Sequence, residues 1–262
     1  MINILIISIL VFLIILIIYL LNNNNNIERF YNLNGINSFD SYMYINLEHR
    51  TDRKTQLLDE LSKVDIPENK ITRIDAVHEK YNGHIGCAKS HLKALTLAKD
   101  KEYDNVVIFE DDFAFTLDKS IIDEKINNFL KNFGKNWDVI QLTTVHNNLE
   151  NIENISDVKK VNSATTASAY IIQKHFYNNL INTLKESVIK MEEEMIEFKE
   201  KHGNIKKHET GYAFDQYWGD LQQKSKWYIF DPYLGKQSGI SSSIMGDIEA
   251  FTNNIRIYGM FV

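Results

Sequence analysis

The sequence lacks several features that would narrow its function at once. It contains a single cysteine, Cys87, so a disulfide within the chain is excluded, while the redox compartment stays open. Its net charge is −6 and it has no long basic run, which gives no indication of nucleic acid as the principal ligand. It also has no P-loop, no G-x-S-x-G and no H-E-x-x-H pattern, which excludes several common hydrolase classes.

What is present is typical of a globular protein with one unusual end. The chain has 262 residues, of which 44% are hydrophobic and 24% charged. These proportions are ordinary for a folded domain, and the length suits one large α/β domain or two small ones. One main domain is therefore the simpler prediction.

The first residues depart from this composition. Ile2 to Leu21 contains no charged residue, and its length matches the hydrocarbon thickness of a bilayer. A cleaved signal peptide is the alternative, but no basic segment precedes the run and no A-x-A-like site follows it. We therefore predict a transmembrane anchor over residues 1–21, which makes the protein a single-pass membrane protein of undetermined orientation. The polar residues 22–40 are predicted to form a flexible stalk.

From residue 41 onward, strand and helix patterns alternate. Strands are predicted over Tyr42–Leu47, Ile71–Val77, Val106–Phe109, Trp137–Leu142 and Ser168–Ile172, and helices from Thr51, from Gly86 to about Lys99, over Ser120–Phe133 and over His175–Leu184. Such alternation predicts an α/β domain over residues 41–262, with a mostly parallel, Rossmann-like sheet flanked by helices.

The C-terminal third has a different character. Glu186 to Lys201 is charged, with a narrow apolar stripe, and is predicted to be a solvated helix. The segments Ala213–Gln223, Trp227–Asp231 and Gly235–Ser243 are rich in aromatic residues and glycine. They are predicted to be loops that close over a sugar or a nucleotide.

Three carboxylates directly follow the strand Val106–Phe109. Glu110, Asp111 and Asp112 should lie at its carboxyl end, where an open α/β sheet has its ligand crevice. Because side chains alternate along a strand, Glu110 and Asp112 are predicted to point the same way and to share a divalent cation. Oxygen ligands favour Mn²⁺ or Mg²⁺ over zinc. The alternative is a solvated acidic turn.

Polar residues at the ends of other strands are candidates for binding a ligand. Asn46, Leu47, Arg50 and Arg53 follow the first strand, where a nucleotide loop would lie, although they could equally be a capped helix start with solvated arginines. Asp75 ends the second strand and could accept from a ribose hydroxyl or a base. Ser90 and His91 are predicted near a helix N-terminus that favours phosphate. Cys87 and His91 are spaced for a soft metal, but two ligands alone do not make a site.

Four segments in this order resemble glycosyltransferase family 25, which includes lipooligosaccharide galactosyltransferases and collagen hydroxylysine galactosyltransferases. They are YINLEHRTDR (Tyr44–Arg53), GHIGCAKSH (Gly83–His91), VVIFEDD (Val106–Asp112) and DPYLGKQSGISSSI (Asp231–Ile244). The resemblance implies a GT-A fold, a UDP-sugar donor, a divalent cation such as manganese, and inversion at the anomeric carbon. It also implies that Gln237 and Ser238 approach the diphosphate of the donor.

Inverting transfer requires a base for the acceptor hydroxyl. Asp215 is the candidate because it lies among aromatic residues, which stack on sugars and raise the basicity of a carboxylate by excluding water. Its alternative role is an N-cap of the helix that begins there. Asp220 is the second candidate for the base, and Asp111 is a candidate for contact with the donor sugar.

The sequence thus predicts a glycosyltransferase that moves a hexose, galactose or glucose, from a UDP-sugar to a glycan or protein acceptor, in glycan biosynthesis at a membrane. Two alternative functions stay open. A metal-dependent phosphohydrolase could use the same acidic strand end, but no D-x-D-x-[TV] nucleophile segment follows the strand. A membrane-tethered sugar-binding protein without activity would also fit.

Overall fold

A computed structural model describes residues 10–19, 33–145, 147–203 and 210–238 of the chain. A first helix, α1, covers residues 10–19. The other helices are α2 (Thr51–Lys63), α3 (Gly83–Asp100), α4 (Lys119–Phe133), α5 (Tyr177–His202), α6 (Phe214–Tyr217) and α7 (Gly219–Gln223). The strands are β1 (Ser41–Asn46), β2 (Ile71–Asp75), β3 (Asn105–Glu110), β4 (Phe113–Phe115), β5 (Val139–Gln141), β6 (Asn147–Ile152), β7 (Ile155–Ala164), β8 (Ala169–Gln173), β9 (Trp227–Phe230) and β10 (Gly235–Gln237).

Eight of these strands form one mixed sheet in the order β2-β1-β3-β8-β5-β9-β7-β6. The pairings leave six strands running in one direction, with β7 and β8 opposed to them. The prediction of an α/β domain with a mostly parallel sheet is therefore confirmed. A separate two-stranded sheet pairs β10 with β4.

Helices cover both faces of the sheet, as predicted. Met43 and Ile45 of β1 pack on one side with the apolar residues of α3 and α5. Tyr42 and Tyr44, which alternate with them, pack on the other side with residues of α2 and α4. This alternation follows from the two-residue period of a strand, and it explains why β1 and β3 are buried along nearly their whole length.

The predicted loops of the C-terminal third are wrong in part. Trp227–Phe230 is a strand inside the main sheet, and three of its four residues are buried. Gly235–Gln237 is a strand as well, and a Cβ at Gly235 would lie 2.2 Å from the Phe113 ring, so only glycine allows this approach. Residues 239–243 lie outside the described residues.

The hairpin of β6 and β7 was not predicted from the sequence. Its strands are polar, and β6 has no buried residue, because it lies at the edge of the sheet. β7 buries Val158, Val161 and Ala164, which are three residues apart, so neither strand shows the two-residue alternation of apolar residues that a sequence pattern detects. Similarly, the two helices predicted over 175–184 and 186–201 form the single helix α5, whose N-terminal half is buried.

The folded domain begins earlier than residue 41. A short 3-10 helix over Gly35–Ser38 packs against α4, and Ile36 and Phe39 are buried. Asp123 of α4 accepts the backbone N–H of Ile36 at 2.8 Å. Residues 35–39, assigned to the stalk from their polar surroundings, therefore belong to the domain, while residues 22–32 lie outside the described residues.

The predicted anchor is described only over residues 10–19, which are helical with exposed side chains. Within the described parts of the chain, no helix combines the length and the apolar character needed to cross a membrane. The rest of the segment Ile2–Leu21 lies outside those parts, so the transmembrane anchor and the membrane location stay predictions.

Truncation at two points tests where the domain begins. A chain starting at Ile27 should keep the unfolding free energy of the domain, because it retains both buried residues of the first turn, Ile36 and Phe39. A chain starting at Asp40 loses both, and burial of two large apolar side chains contributes about 3–6 kcal/mol. Urea denaturation of the two truncated chains measures the difference. Equal stabilities would show that residues 35–39 do not belong to the folded unit.

Candidate active site

The candidate site lies where the carboxyl ends of β1, β2 and β3 meet. These strands are adjacent and parallel, so the residues that follow each of them come to one edge of the sheet. A cleft at this edge is lined by Ile45, Asn46, Leu47, Arg53, Ala76, Val77, His78, Glu79, Gly83, Cys87, Ser90, Glu110, Asp111, Asp112 and Gln237. The structure therefore brings together most of the predicted donor and metal residues.

Asp111 is held on both of its carboxylate oxygens. Arg53 donates to Oδ1 at 2.8 Å, and the Asn46 amide donates to Oδ2 at 2.7 Å. Burial raises the pKa of Asp111, against the lowering effects of Asn46 and Arg53. A carboxylate with both oxygens engaged fixes the loop after β1 to the end of β3. The geometry gives Asp111 this positioning role, and its contact with the donor sugar stays a prediction.

Asp112 has weaker partners. Arg53 lies 3.6 Å from its Oδ2, Gln237 Nε2 lies 3.4 Å from the same oxygen, and Ser168 Oγ lies 3.5 Å from Oδ1. Burial and the negative charge of Glu110 raise the pKa of Asp112 to about 7. Asp112 is thus a buried carboxylate whose negative charge is poorly compensated by the residues around it.

Glu110 turns toward α3. His91 Nε2 and Cys87 Sγ each lie 3.2 Å from its Oε1, and both are on the same face of α3. Burial opposes ionisation of Glu110, but the hydrogen bond and charge of His91, together with the Cys87 bond, outweigh it and lower the pKa of this carboxyl. Burial, reinforced by Glu110, raises the pKa of the Cys87 thiol well above its ordinary value.

Glu110 and Asp112 were predicted to point the same way, but their side chains contact different elements of the structure. β3 ends at Glu110, and the next two residues form a turn before β4. Alternation of side chains holds only within a strand, so it does not extend to Asp112. Glu110 contacts α3, whereas Asp112 contacts Arg53 of α2 and Gln237 of β10.

Two predicted donor-binding residues, Ser90 and His91, form hydrogen bonds within the protein. His91 is fully buried, in the third turn of α3 rather than at its start, and its Nδ1 lies 3.0 Å from the Tyr170 hydroxyl. The helix begins earlier than predicted because Asn82 caps it, accepting from His84 N. Ser90 Oγ accepts from Val77 N at 2.8 Å and donates to Gly86 O, which ties the loop after β2 to α3. A Cβ at Gly86 would lie 2.5 Å from the Val77 carbonyl oxygen, so glycine permits this contact.

Arg50 and Asp75 lie beside the cleft and do not line it. Arg50 pairs with Asp52, Nη2 to Oδ2 at 2.9 Å, as in the alternative of a helix start with surface arginines. The hydrogen bond to Asp52 raises the pKa of Arg50 despite its partial burial. Asp75 is exposed and accepts from Arg73 Nη2 at 3.1 Å.

The C-terminal residues reach the site through β10. Its pairing with β4 places Gln237 opposite Phe113, next to Asp112. The backbone N–H of Ser238 donates to the Asp112 carbonyl oxygen. The proximity of Gln237 and Ser238 to the acidic turn agrees with the resemblance, although contact with a diphosphate stays a prediction.

Asp215 is partly buried in the first turn of α6, and it is not an N-cap, because Ala213 occupies that position. Its Oδ2 accepts the backbone N–H of Thr166 at 3.0 Å. Burial raises the pKa of Asp215, and the negative charge of Glu110 adds to this, which puts both carboxylates in one electrostatic environment. Asp220 is exposed on α7.

The loop after β7, which was not predicted to belong to the site, contacts several site residues. Thr166 N binds Asp215, Ser168 Oγ faces Asp112, and the Ser168 carbonyl accepts from Glu110 N at 2.8 Å. Thr166 has a positive φ of 74°, and its carbonyl accepts from the buried Gln141. The segment SATTAS has no sequence feature that predicts these long-range contacts.

Comparison with known proteins supplies the family. Residues 80–196 match the model for glycosyltransferase family 25, described as LPS biosynthesis protein. The matched region contains two of the four resembling segments, Gly83–His91 and Val106–Asp112, with the acidic turn of the candidate site. The family prediction is thus confirmed, and with it the prediction that the protein is an enzyme, a transferase.

Three solved structures show distant similarity to this chain. A197 from STIV is 12% identical over 79% of this chain and 98% of that one, with a TM-score of 0.40. Mannose-1-phosphate geranyltransferase from Thermus thermophilus is 6% identical over 72% of both chains, with a TM-score of 0.41. UDP-glucose pyrophosphorylase complexed with UDP-glucose is 8% identical over 84% of this chain and 98% of that one, with a TM-score of 0.44. No curated protein matches the chain.

Proposed function

We propose that the protein is an inverting, metal-dependent glycosyltransferase of the GT-A type, which moves a hexose from a UDP-sugar to a hydroxyl of a glycan or protein acceptor. The observation that carries the proposal is the acidic turn of the family 25 region. It places Glu110, Asp111 and Asp112 at the carboxyl edge of three parallel strands, in a cleft. Such an edge is where open α/β sheets bind nucleotides.

The charges in the cleft suit a divalent cation. Two carboxylates, Asp111 and Asp112, share one buried arginine, Arg53, whose closest partner is Asp111. Asp112 retains a pKa of about 7 because burial and Glu110 oppose its ionisation, and a bound cation would relieve both effects. Asp112 and, after a turn of its side chain from α3 into the cleft, Glu110 would hold Mn²⁺ or Mg²⁺, and the ion would supply charge stabilisation for the diphosphate leaving group.

The other residues of the chain would orient the donor and move the proton. Arg53 and Asn46 hold Asp111 and so keep the loop after β1 against the acidic turn. Gln237 lines the cleft, with its Nε2 3.4 Å from Asp112 Oδ2, and there it would contact a diphosphate oxygen. Asp215, held by Thr166, would accept the proton of the acceptor hydroxyl, because burial raises its pKa and makes it a stronger base.

Replacing Asp112 by Asn tests the metal site. The variant should lose metal-dependent binding of UDP-sugars, because an amide cannot supply the missing negative charge. Calorimetry with UDP-sugars in the presence and absence of Mn²⁺ measures the effect, and an unaltered, Mn²⁺-dependent affinity would remove Asp112 from the proposed site. Release of UDP without acceptor, at a rate no lower than with acceptor, would favour a phosphohydrolase instead.

The same variant should not weaken the metal-free fold. The folded-state pKa of Asp112 is raised to about 7, so its ionised form opposes folding, and this penalty grows as the pH rises from the unfolded-state pKa of about 3.9 toward 7. Asp112→Asn should therefore melt no lower than the parent protein in EDTA at pH 8. Its advantage should shrink on lowering the pH to 4. A variant that melts lower at pH 8 would show that the carboxylate is well compensated.

A further inference from the structure

A second cluster of possible metal ligands lies behind the acidic turn. Cys87 and His91 are four residues apart on α3, so their side chains share one helix face, and this face meets Glu110 at the end of β3. The Cys87 Sγ, one His91 ring nitrogen and a Glu110 carboxylate oxygen all lie within 4.8 Å of one another. Two elements distant in sequence thus bring together a thiol, an imidazole and a carboxylate.

The geometry points to a zinc-type site. We infer that Cys87, His91 and Glu110 bind Zn²⁺ or a similarly soft divalent ion, at a site distinct in ligand chemistry from the oxygen-only Mn²⁺ site. Ligand atoms of a tetrahedral zinc ion lie about 2.0–2.3 Å from the metal, hence roughly 3.3–3.7 Å from one another. The Sγ to Oε1 and Nε2 to Oε1 distances are both 3.2 Å, so small outward shifts suffice to admit the ion.

The contacts of His91 orient its ring for binding a metal ion. Its ring is fully buried, and Nδ1 lies 3.0 Å from the Tyr170 hydroxyl, which leaves Nε2 facing Glu110. Binding would displace the thiol proton to solvent, and the imidazole proton would reside on Nδ1, which then donates to the Tyr170 oxygen. An outer hydrogen bond of this kind fixes the orientation of histidine ligands in metal sites.

The ligand set also predicts an open coordination position. Cys87 and Glu110 both line the cleft, so a fourth ligand, water or a phosphate oxygen, can reach the ion from that side. Three protein ligands with an open position are typical of accessible zinc sites. Thiolate and imidazole favour zinc over magnesium or manganese. Because Glu110 also belongs to the proposed Mn²⁺ site, occupation by zinc would exclude Mn²⁺, a consequence that rests on the proposed function.

Cobalt provides a direct test with the purified full chain. Co²⁺ bound to a thiolate gives a near-ultraviolet charge-transfer absorption, and in this chain it can arise only from Cys87, the single cysteine. One equivalent of Co²⁺ should produce the band, and one equivalent of Zn²⁺ should abolish it. Absence of the band at a several-fold excess of Co²⁺ would overturn the inference.

Two variants complete the test. Cys87→Ser should weaken Zn²⁺ binding by at least about tenfold in a competition with a chromophoric chelator, the order of loss that even outer ligands of metal sites produce. Asp112→Asn should leave the cobalt band in place, because Asp112 belongs only to the Mn²⁺ site. Equal zinc affinity of Cys87→Ser and the parent protein, or loss of the band in Asp112→Asn, would overturn the three-ligand assignment. These measurements need neither donor nor acceptor, so their outcome is independent of the transfer activity.

Discussion

Asp215→Asn is expected to lower the rate of sugar transfer by roughly 10²- to 10⁴-fold while the affinity for the UDP-sugar stays nearly unchanged. The amide oxygen of asparagine can still accept the Thr166 N–H, so the loop after β7 should keep its place. What the variant loses is the proton acceptor. Steady-state transfer rates with manganese present, and donor binding by calorimetry, measure the two quantities separately.

Two further variants separate the catalytic role from a structural one. Asp215→Ala removes the bond to Thr166 as well, and should cost about 1 kcal/mol of unfolding free energy in addition to the loss of activity. Asp220→Asn is the matched control, because Asp220 lies only five positions along the chain but is exposed on α7. Its transfer rate should remain close to that of the parent protein. Near-normal transfer by Asp215→Asn, with a large loss in Asp220→Asn, would assign the base to Asp220.

The sheet around the site could be predicted from sequence because its central strands have unambiguous patterns. β3 contains the unbroken apolar run Val106–Phe109, and such runs fit strands buried on both faces. The carboxylates directly after it had to come to the sheet edge, as observed. The hairpin of β6 and β7 could not be predicted in this way, because β6 buries no residue and the buried residues of β7, Val158, Val161 and Ala164, are three positions apart instead of two.

The partners of the carboxylates were harder to predict than their location. Arg53 was expected to contact a ligand, whereas it lies buried against Asp111, a residue 58 positions away. His91 was expected near a helix start, yet the cap at Asn82 places the helix start at Gly83 and His91 in the core. In both cases local patterns give the element correctly, but only the packing of α2 and α3 on the sheet decides which charges meet.

Arg53→Met is expected to destabilise the domain by about 3–5 kcal/mol, because it leaves buried carboxylates without their cation. The side chains of Arg53 and Asp111 are only 5% and 10% exposed, and their charged atoms are 2.8 Å apart. Arg50→Met is the matched control. Arg50 pairs with Asp52 at a similar 2.9 Å, but the Asp52 side chain is 57% exposed, so loss of that pair should leave the unfolding free energy nearly unchanged.

The pH dependence of the unfolding free energy of Arg53→Met identifies the cause of its instability. The pKa of Asp111 is raised and that of Asp112 is about 7 even with Arg53 present, so both carboxyls should become neutral in the Arg53→Met protein as the pH falls. A neutral carboxyl has no negative charge for the arginine to compensate. The difference in unfolding free energy between variant and parent should therefore become smaller as the pH is lowered from 8 to 5. Asp111→Asn combined with Arg53→Met should likewise recover part of the loss at pH 8. Urea denaturation in EDTA measures the unfolding free energy of the parent protein, Arg53→Met, Arg50→Met and the double variant. If Arg53→Met loses no more unfolding free energy than Arg50→Met at pH 8, the buried pair does not stabilise the site.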